Sequence, residues 1–373
     1  METFPFIPYS AKYLYKGNGF YTKNDHICKL NDFNPSKEKM KFKKILLIAA
    51  ALISGACLVS CKDDDEEETF PYLTGLPVID LPPYGQAGDT FTFTGKGVTD
   101  DDGKSDAVGY YWYVSPFNLS RDTTRTYTLT LPDTLCTATV NCGAFQEGYN
   151  SSTNSKSITI IKGGRNNGSI TGILLNITDF TFTDPRDGHE YLCANIGDKD
   201  WFKENLAYSK AGFSLEGCEI ADMIFGKYYT WNEATNSCPE GWRLSTLQDW
   251  ADAAKAVTGN EFAASENMYS IAGDFMGDIY FNEEKMWDYW PGVRITGKAG
   301  LAIMPLGYAN ISENGSAKFS SIMNGYATFW TADEKDAEKA YYRYIFEEKP
   351  DILLGSADKK SFAANVRCVR DHE

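Results

Sequence analysis

The sequence predicts two β-rich units in series, an all-β sandwich over residues 70–162 and an α+β module over residues 173–373. Three observations carry this reading. Between Asp89 and Val140, short runs alternate apolar and polar side chains, the period of a half-buried strand. Gly163-Gly164-Arg165-Asn166-Asn167-Gly168 then interrupts the pattern, as a linker over 163–172 would. Beyond it, helix-period segments come first and strand-like runs follow, an order that implies α+β packing.

The chain ahead of the sandwich addresses the protein. Met40 to Cys61 reads MKFKKILLIAAALISGACLVSC, with Lys41, Lys43 and Lys44 before an apolar stretch of about ten residues. That stretch is too short for a bilayer core of about 30 Å, so it fits a cleaved signal better than a spanning helix. Leu58-Val59-Ser60-Cys61 resembles the lipobox of bacterial lipoproteins. The resemblance implies cleavage before Cys61, acylation of Cys61, and outer-membrane lipid as a partner. Asp63 to Glu68 are six consecutive carboxylates, which repel one another and make residues 62–69 a solvated tether. The run is similar to the acidic export signal that sends Bacteroidetes lipoproteins to the outer face of the outer membrane. A signal so placed makes residues 1–39 an upstream extension that takes no part in the fold.

Composition narrows the function. From Cys61 onward there are 27 basic and 47 acidic residues, a net charge of −20. A surface of that sign excludes nucleic acid as a partner. Only His26, His189 and His372 occur, which leaves no multi-histidine zinc site or histidine dyad to build. With Cys28 and Cys57 removed and Cys61 acylated, six cysteines remain, and six allow 15 pairings.

Within the sandwich, strands are expected near 89–94, 108–114, 126–131, 134–140 and 157–161, paired antiparallel. Trp112 sits at the centre of the second of these, in VGYYWYV. This pattern, with the late EGYNSSTNSKSITI segment, resembles immunoglobulin-like domains of bacterial surface proteins. Phe91 and Phe93 stand where an early-strand cysteine would be, so no inter-sheet bridge to Cys136 is implied. Cys136 and Cys142 lie about 20 Å apart if extended, too far to join without a turn. Asp100-Asp101-Asp102 carries the oxygens that calcium takes, yet it reads first as a solvated loop, and no cofactor is expected. The unit reads as a spacer.

In the module, Tyr229–Ser237 has helical character. Thr246, followed by Asp249, caps a second helix running through Val257 and stopped by Thr258-Gly259. Leu247, Trp250, Ala251 and Ala254 share one face of it. Strands are expected at 301–308, 328–331, 340–346 and 363–369.

The motifs of this half come in order: Trp201-Phe202-Lys203-Glu204-Asn205-Leu206, Gly226-Lys227-Tyr228-Tyr229-Thr230-Trp231-Asn232, Cys238-Pro239-Glu240-Gly241-Trp242-Arg243-Leu244, and Asn365-Val366-Arg367-Cys368-Val369-Arg370-Asp371. They resemble the Fibrobacter succinogenes major paralogous domain, whose modules are similar to C-type lectin folds. The resemblance implies an extracellular, non-catalytic module and a bridge between Cys238 and Cys368, leaving Cys193 and Cys218 as the second candidate pair. It also implies that Trp201, Trp231, Trp242 and Trp330 are core. The E-P-N and Q-P-D calcium motifs of sugar-binding lectins are absent, as are G-x-S-x-G, H-E-x-x-H and phosphate-loop signatures. Trp287-Asp288-Tyr289-Trp290, in a loop after Glu283-Glu284, is the best candidate contact for a glycan or protein ligand. Core packing is the competing role for its aromatics. A structural surface protein with no dedicated ligand is the alternative to a binding module. A carbohydrate-active enzyme is the second alternative, and it needs two carboxylates about 5–10 Å apart in a cleft.

Overall fold

The computed structural model describes residues 69–162, 170–172 and 179–372. The extension 1–39, the signal 40–61 with Cys61, nearly all of the tether and the linker's glycine-asparagine run lie outside the described residues. Strand exceeds helix by 42% to 11%, and no sheet closes into a barrel among the described residues, so the β-rich expectation holds.

Residues 72–161 form two main sheets and a short two-stranded pair, Thr74–Gly75 with Val98–Thr99, around one core. The larger has the spatial order Tyr84–Gln86, Ser152–Ile161, Thr137–Phe145, Gly109–Ser115, Asn118–Asp122. The smaller pairs Thr90–Thr94 with Thr126–Thr130, bringing Phe93 opposite Tyr127. Inward side chains from both sheets meet at Trp112, which is fully buried and stacks on Phe93 at 5.6 Å and Tyr127 at 6.2 Å. Each expected strand forms, with two amendments. Tyr84–Gln86 joins the sheet parallel to Ser152–Ile161, not antiparallel. Asn118–Asp122 is an exposed edge strand with no buried alternation to announce it. Cys142 does not bridge Cys136; its thiol is buried, and burial pushes its pKa up to about 12.

The C-terminal half opens with a five-stranded sheet ordered Phe180–Thr183, Glu190–Ile196, Lys199–Phe202, Cys368–Asp371, Arg243–Leu244. The last strand of the chain thus lies between elements near the start of the module. Helix Trp231–Ser237 starts with Thr230 and Glu233 in a capping box. Helix Leu247–Thr258 starts with Thr246 and Asp249 in another, and stops at Gly259, whose φ of 77° only glycine adopts easily. Its apolar face buries Trp250 against Trp201 (5.3 Å), Phe275 and Phe329.

Two expected strands come out differently. Of 301–308 only the end enters strand Tyr308–Ile311; Leu301, Ile303 and Leu306 are fully buried in an irregular run. The 363–369 stretch divides into Phe362–Ala364 and Cys368–Asp371. Arg367, between them, is fully buried and donates from Nη1 to the carbonyls of Phe202, Lys203 and Leu301. A guanidinium with several donors can bind carbonyls from separate segments together where no ladder does. The end of the linker is also ordered: Ile170–Thr171 pairs with Tyr280–Phe281.

Candidate functional site

The structure divides the Trp287–Trp290 segment. Trp287 is fully buried, with Nε1 donating to the Ile303 carbonyl at 2.8 Å, so it packs the core and offers no ring to a ligand. Tyr289 and Trp290 are 80% and 41% exposed, and the Asp288 N–H donates to Glu347 Oε2 at 3.2 Å. Trp201, Trp231, Trp242 and Trp330 are buried; Trp231 and Trp330 donate from their indoles to the carbonyls of Thr331 and Tyr229, both at 2.8 Å.

Cys238 and Cys368 are bridged, their Cα atoms 5.8 Å apart. Cys193 and Cys218 are not joined to each other, which corrects the second pairing. Cys193 lies in the cluster around Tyr191 and Phe202, whereas Cys218 packs with Leu215, Ala221 and Phe225. The two thiols belong to different cores, and sequence spacing carries no sign of that.

One feature with room for a ligand is an open bowl of about 740 Å³, formed by the 209–219 segment, Lys227, Glu233 and strand Ala317–Ser320. Of its charged groups only Lys227 and Glu233, which lie in the motif Gly226-Lys227-Tyr228-Tyr229-Thr230-Trp231-Asn232-Glu233-Ala234, stand out in the sequence. The visible signal was slight: two carboxylates set between glycines and a cysteine in Gly212-Phe213-Ser214-Leu215-Glu216-Gly217-Cys218-Glu219.

Local conformation explains the wall. Gly212 has φ of 74°, and a side chain there would meet the Tyr228 carbonyl. That approach lets Phe213 exchange backbone hydrogen bonds with Tyr228. Short 3₁₀ turns follow at Leu215–Gly217 and Glu219–Ala221. Leu215 and Ala221 are fully buried and act as anchors, while Glu216 and Glu219 face solvent. Glu216 holds a left-handed φ of 51°, uncommon for a residue with a Cβ. Across the bowl, Phe319 is half-buried and meets Tyr228 edge-on at 5.0 Å.

The charges fall into two sets. Lys227 is buried, with Nζ 3.7 Å from Asp222 Oδ2 and 3.5 Å from the Ser209 carbonyl. Asp222 also accepts from Ser214 Oγ at 2.8 Å. Burial outweighs both partners and raises its carboxyl to about 6. Glu233 is committed to the cap of helix Trp231–Ser237 through Thr230. The side chains of Glu216, Glu219 and Lys210, by contrast, have no hydrogen-bond or ion-pair partner among the described residues. The bowl therefore offers two phenyl rings, two carboxylate acceptors and an ammonium donor. Such a set suits a ligand with many hydroxyls and an apolar face.

No group of three or more His, Cys, Asp or Glu side chains is placed to hold a metal among the described residues. In the Asp100–Asp102 loop, Asp100 Oδ1 accepts the Lys104 N–H at 2.7 Å and Asp102 pairs with Lys104 Nζ at 3.1 Å.

Comparison with known proteins gives one family. Residues 194–370 match the Fibrobacter succinogenes major domain. No curated protein matches the chain. Among solved structures, a superoxide reductase (neelaredoxin) from Ignicoccus hospitalis is 19% identical with a TM-score of 0.18, over 24% of this chain and 82% of that one. A calcium-binding mutant of Bacteroides uniformis beta-glucuronidase 2 is 12% identical with a TM-score of 0.16, over 78% of this chain and 28% of that one. Scores so low bear on neither fold nor function.

Proposed function

We propose that this chain, whose residues 194–370 form a Fibrobacter succinogenes major domain, is a surface-anchored lipoprotein that presents a non-catalytic glycan-binding module. In this reading, lipid on Cys61 and the acidic run after it hold the protein on the outer face of the outer membrane. An immunoglobulin-like sandwich and a C-type-lectin-like module then stand outside the cell. The order of strands around Trp112 supports the first assignment, and the bridge from Cys238 to the final strand supports the second.

The observation that carries the binding role is the bowl. Phe213 and Phe319 supply apolar faces on which the C–H side of a pyranose can pack, and Glu216, Glu219 and Lys210 are free to bond its hydroxyls. The lining is mostly polar, with the two rings as its apolar part, which matches a hydroxyl-rich ligand better than an apolar one. The volume is that of an oligosaccharide segment, not of an ion.

A glycan array probed with purified residues 61–373, with and without Ca²⁺, tests the reading. Binding that falls at least tenfold in Phe319→Ala and in Glu216→Gln supports it. Unchanged binding in both variants places the ligand elsewhere, and the exposed Tyr289 and Trp290 then favour a protein ligand on that loop. For the anchor, Cys61→Ala moves the protein from the membrane fraction to the aqueous one; retention in the membrane refutes acylation there.

A further inference from the structure

One strand of the sandwich bears on the wall of the bowl. In Tyr84–Gln86 the Tyr84 ring lies 6.0 Å from Phe225, edge-on, and Phe225 packs in turn on Phe281 at 5.1 Å. Strand Tyr84–Gln86 lies against the turn Glu219–Ala221. Ile161, at the end of strand Ser152–Ile161, is fully buried in the same apolar cluster as Leu215, Cys218, Ala221 and Phe225. Asn282 Nδ2 donates to the Ile160 carbonyl at 2.9 Å, a second tie between the halves.

These contacts fall on the turns that carry Glu216 and Glu219. Leu215, Cys218 and Ala221 point into the apolar cluster, and the two glutamates between them point out to the bowl. Nothing regular holds these turns from within: each is a three-residue 3₁₀ turn. Glu216 in addition keeps a left-handed backbone, a conformation that persists only where the surroundings fix it. Part of the fixing surface comes from the sandwich, through Tyr84 and Ile161.

We infer that the bowl is a two-domain site, in which the sandwich holds Glu216 and Glu219 in place through Tyr84. The sandwich is then part of the binding unit and not only a spacer, and Tyr84 is a positioning residue that touches no ligand. Its functional meaning rests on the reading of the bowl as the ligand site; the bracing itself does not.

The test uses the mature chain, residues 61–373, with Tyr84→Ala, Tyr84→Phe and Asn282→Ala. Hydrogen exchange of residues 212–221 and alkylation of Cys218 by iodoacetamide are measured under native conditions, with buried Cys142 as the internal control. Tyr84→Ala is expected to speed both at least tenfold while Cys142 stays protected. Tyr84→Phe, which keeps the ring, should match the wild type. Should Tyr84→Ala expose Cys142 as well, Asn282→Ala decides: faster exchange at 212–221 supports the bracing and unchanged exchange overturns it. Equal rates in wild type and Tyr84→Ala overturn it directly. Glycan affinity on the array should fall at least fivefold in Tyr84→Ala and recover in Tyr84→Phe; affinity that follows neither overturns the two-domain site. A wild-type chain that binds no glycan removes the ligand reading alone, and the exchange rates still decide the bracing.

Discussion

Replacing Cys238 and Cys368 together by alanine should be the most damaging change that leaves the module's apolar core intact. The bridge joins residues 130 apart in sequence, so opening it frees a loop of most of the module. In the chain-entropy account, a loop of that length corresponds to about 5 kcal/mol at 25 °C, and measured effects more often reach about 2–4 kcal/mol. The position is also structural. Cys238 caps the C-terminal end of helix Trp231–Ser237, and Cys368 opens the strand that pairs with both Lys199–Phe202 and Arg243–Leu244. The link therefore fixes the helix to an inner strand of its sheet. For a domain of roughly 190 residues each kcal/mol moves the melting temperature by about 2–4 °C, so a fall of about 5–20 °C is expected. Fluorescence of the buried Trp201, Trp250 and Trp330 reports unfolding, with reduced wild type as the comparison. A double variant that melts at the same temperature as the oxidised protein would refute the loop argument. So would a double variant far less stable than the reduced wild type, because the loss would then belong to packing at two sites and not to the bond.

Other changes separate core from surface. Trp250→Ala removes an indole packed on Trp201, Phe275 and Phe329, and should cost about 3–5 kcal/mol in urea unfolding. Trp287→Ala should cost a similar amount, whereas Tyr289→Ala should stay within about 0.5 kcal/mol; equal effects would contradict the division of that loop. Gly307→Ala should destabilise strongly, since φ is 57° and the added methyl would lie 2.0 Å from the Ser320 carbonyl oxygen; a neutral effect on the melting temperature would refute the close approach. Asp222 has a carboxyl raised to about 6 from an ordinary value of 3.8, so its contribution to stability is fully present below about pH 4 and is lost as pH rises through 6. The difference in unfolding free energy between wild type and Asp222→Asn, from urea titrations, should change across roughly pH 4–7 by up to about 3 kcal/mol, and a flat difference would refute the shift.

Much of this fold could be read in advance because its signals are local. The alternation in Thr90–Thr94 and Thr126–Thr130 reports one buried face, and the Thr246–Asp249 spacing reports a cap. What escaped depends on distant partners. Asn118–Asp122 is exposed along nearly its whole length, so it has no pattern to show, and it pairs only because Gly109–Ser115 offers an edge. The 301–306 run looks like a strand because its residues are apolar, but Arg367 satisfies the Leu301 carbonyl and the segment takes an irregular path through the core. Trp287 and Trp290, near neighbours in one loop, differ because Trp287 packs into the apolar cluster and donates to the Ile303 carbonyl, partners remote in sequence.

The same contrast explains why the bowl was hidden. Its side chains come from turns that carry no period, and each is placed by something beyond its own sequence neighbourhood or by buried anchors: Phe213 by Tyr228, Phe319 by its strand pairing, Glu216 by the anchors on either side of it. A rigid frame makes this workable. The bridge to Cys368, the buried Arg367 and the tryptophan core fix the sheet and the helix Leu247–Thr258, so the irregular segments inherit defined positions without regular structure of their own. Residues that hold the frame are consequently apolar, periodic and recognisable. Glu216, Glu219 and Lys210 of the bowl have no hydrogen-bond or ion-pair partner among the described residues, and no regular pattern in the sequence marks where they lie.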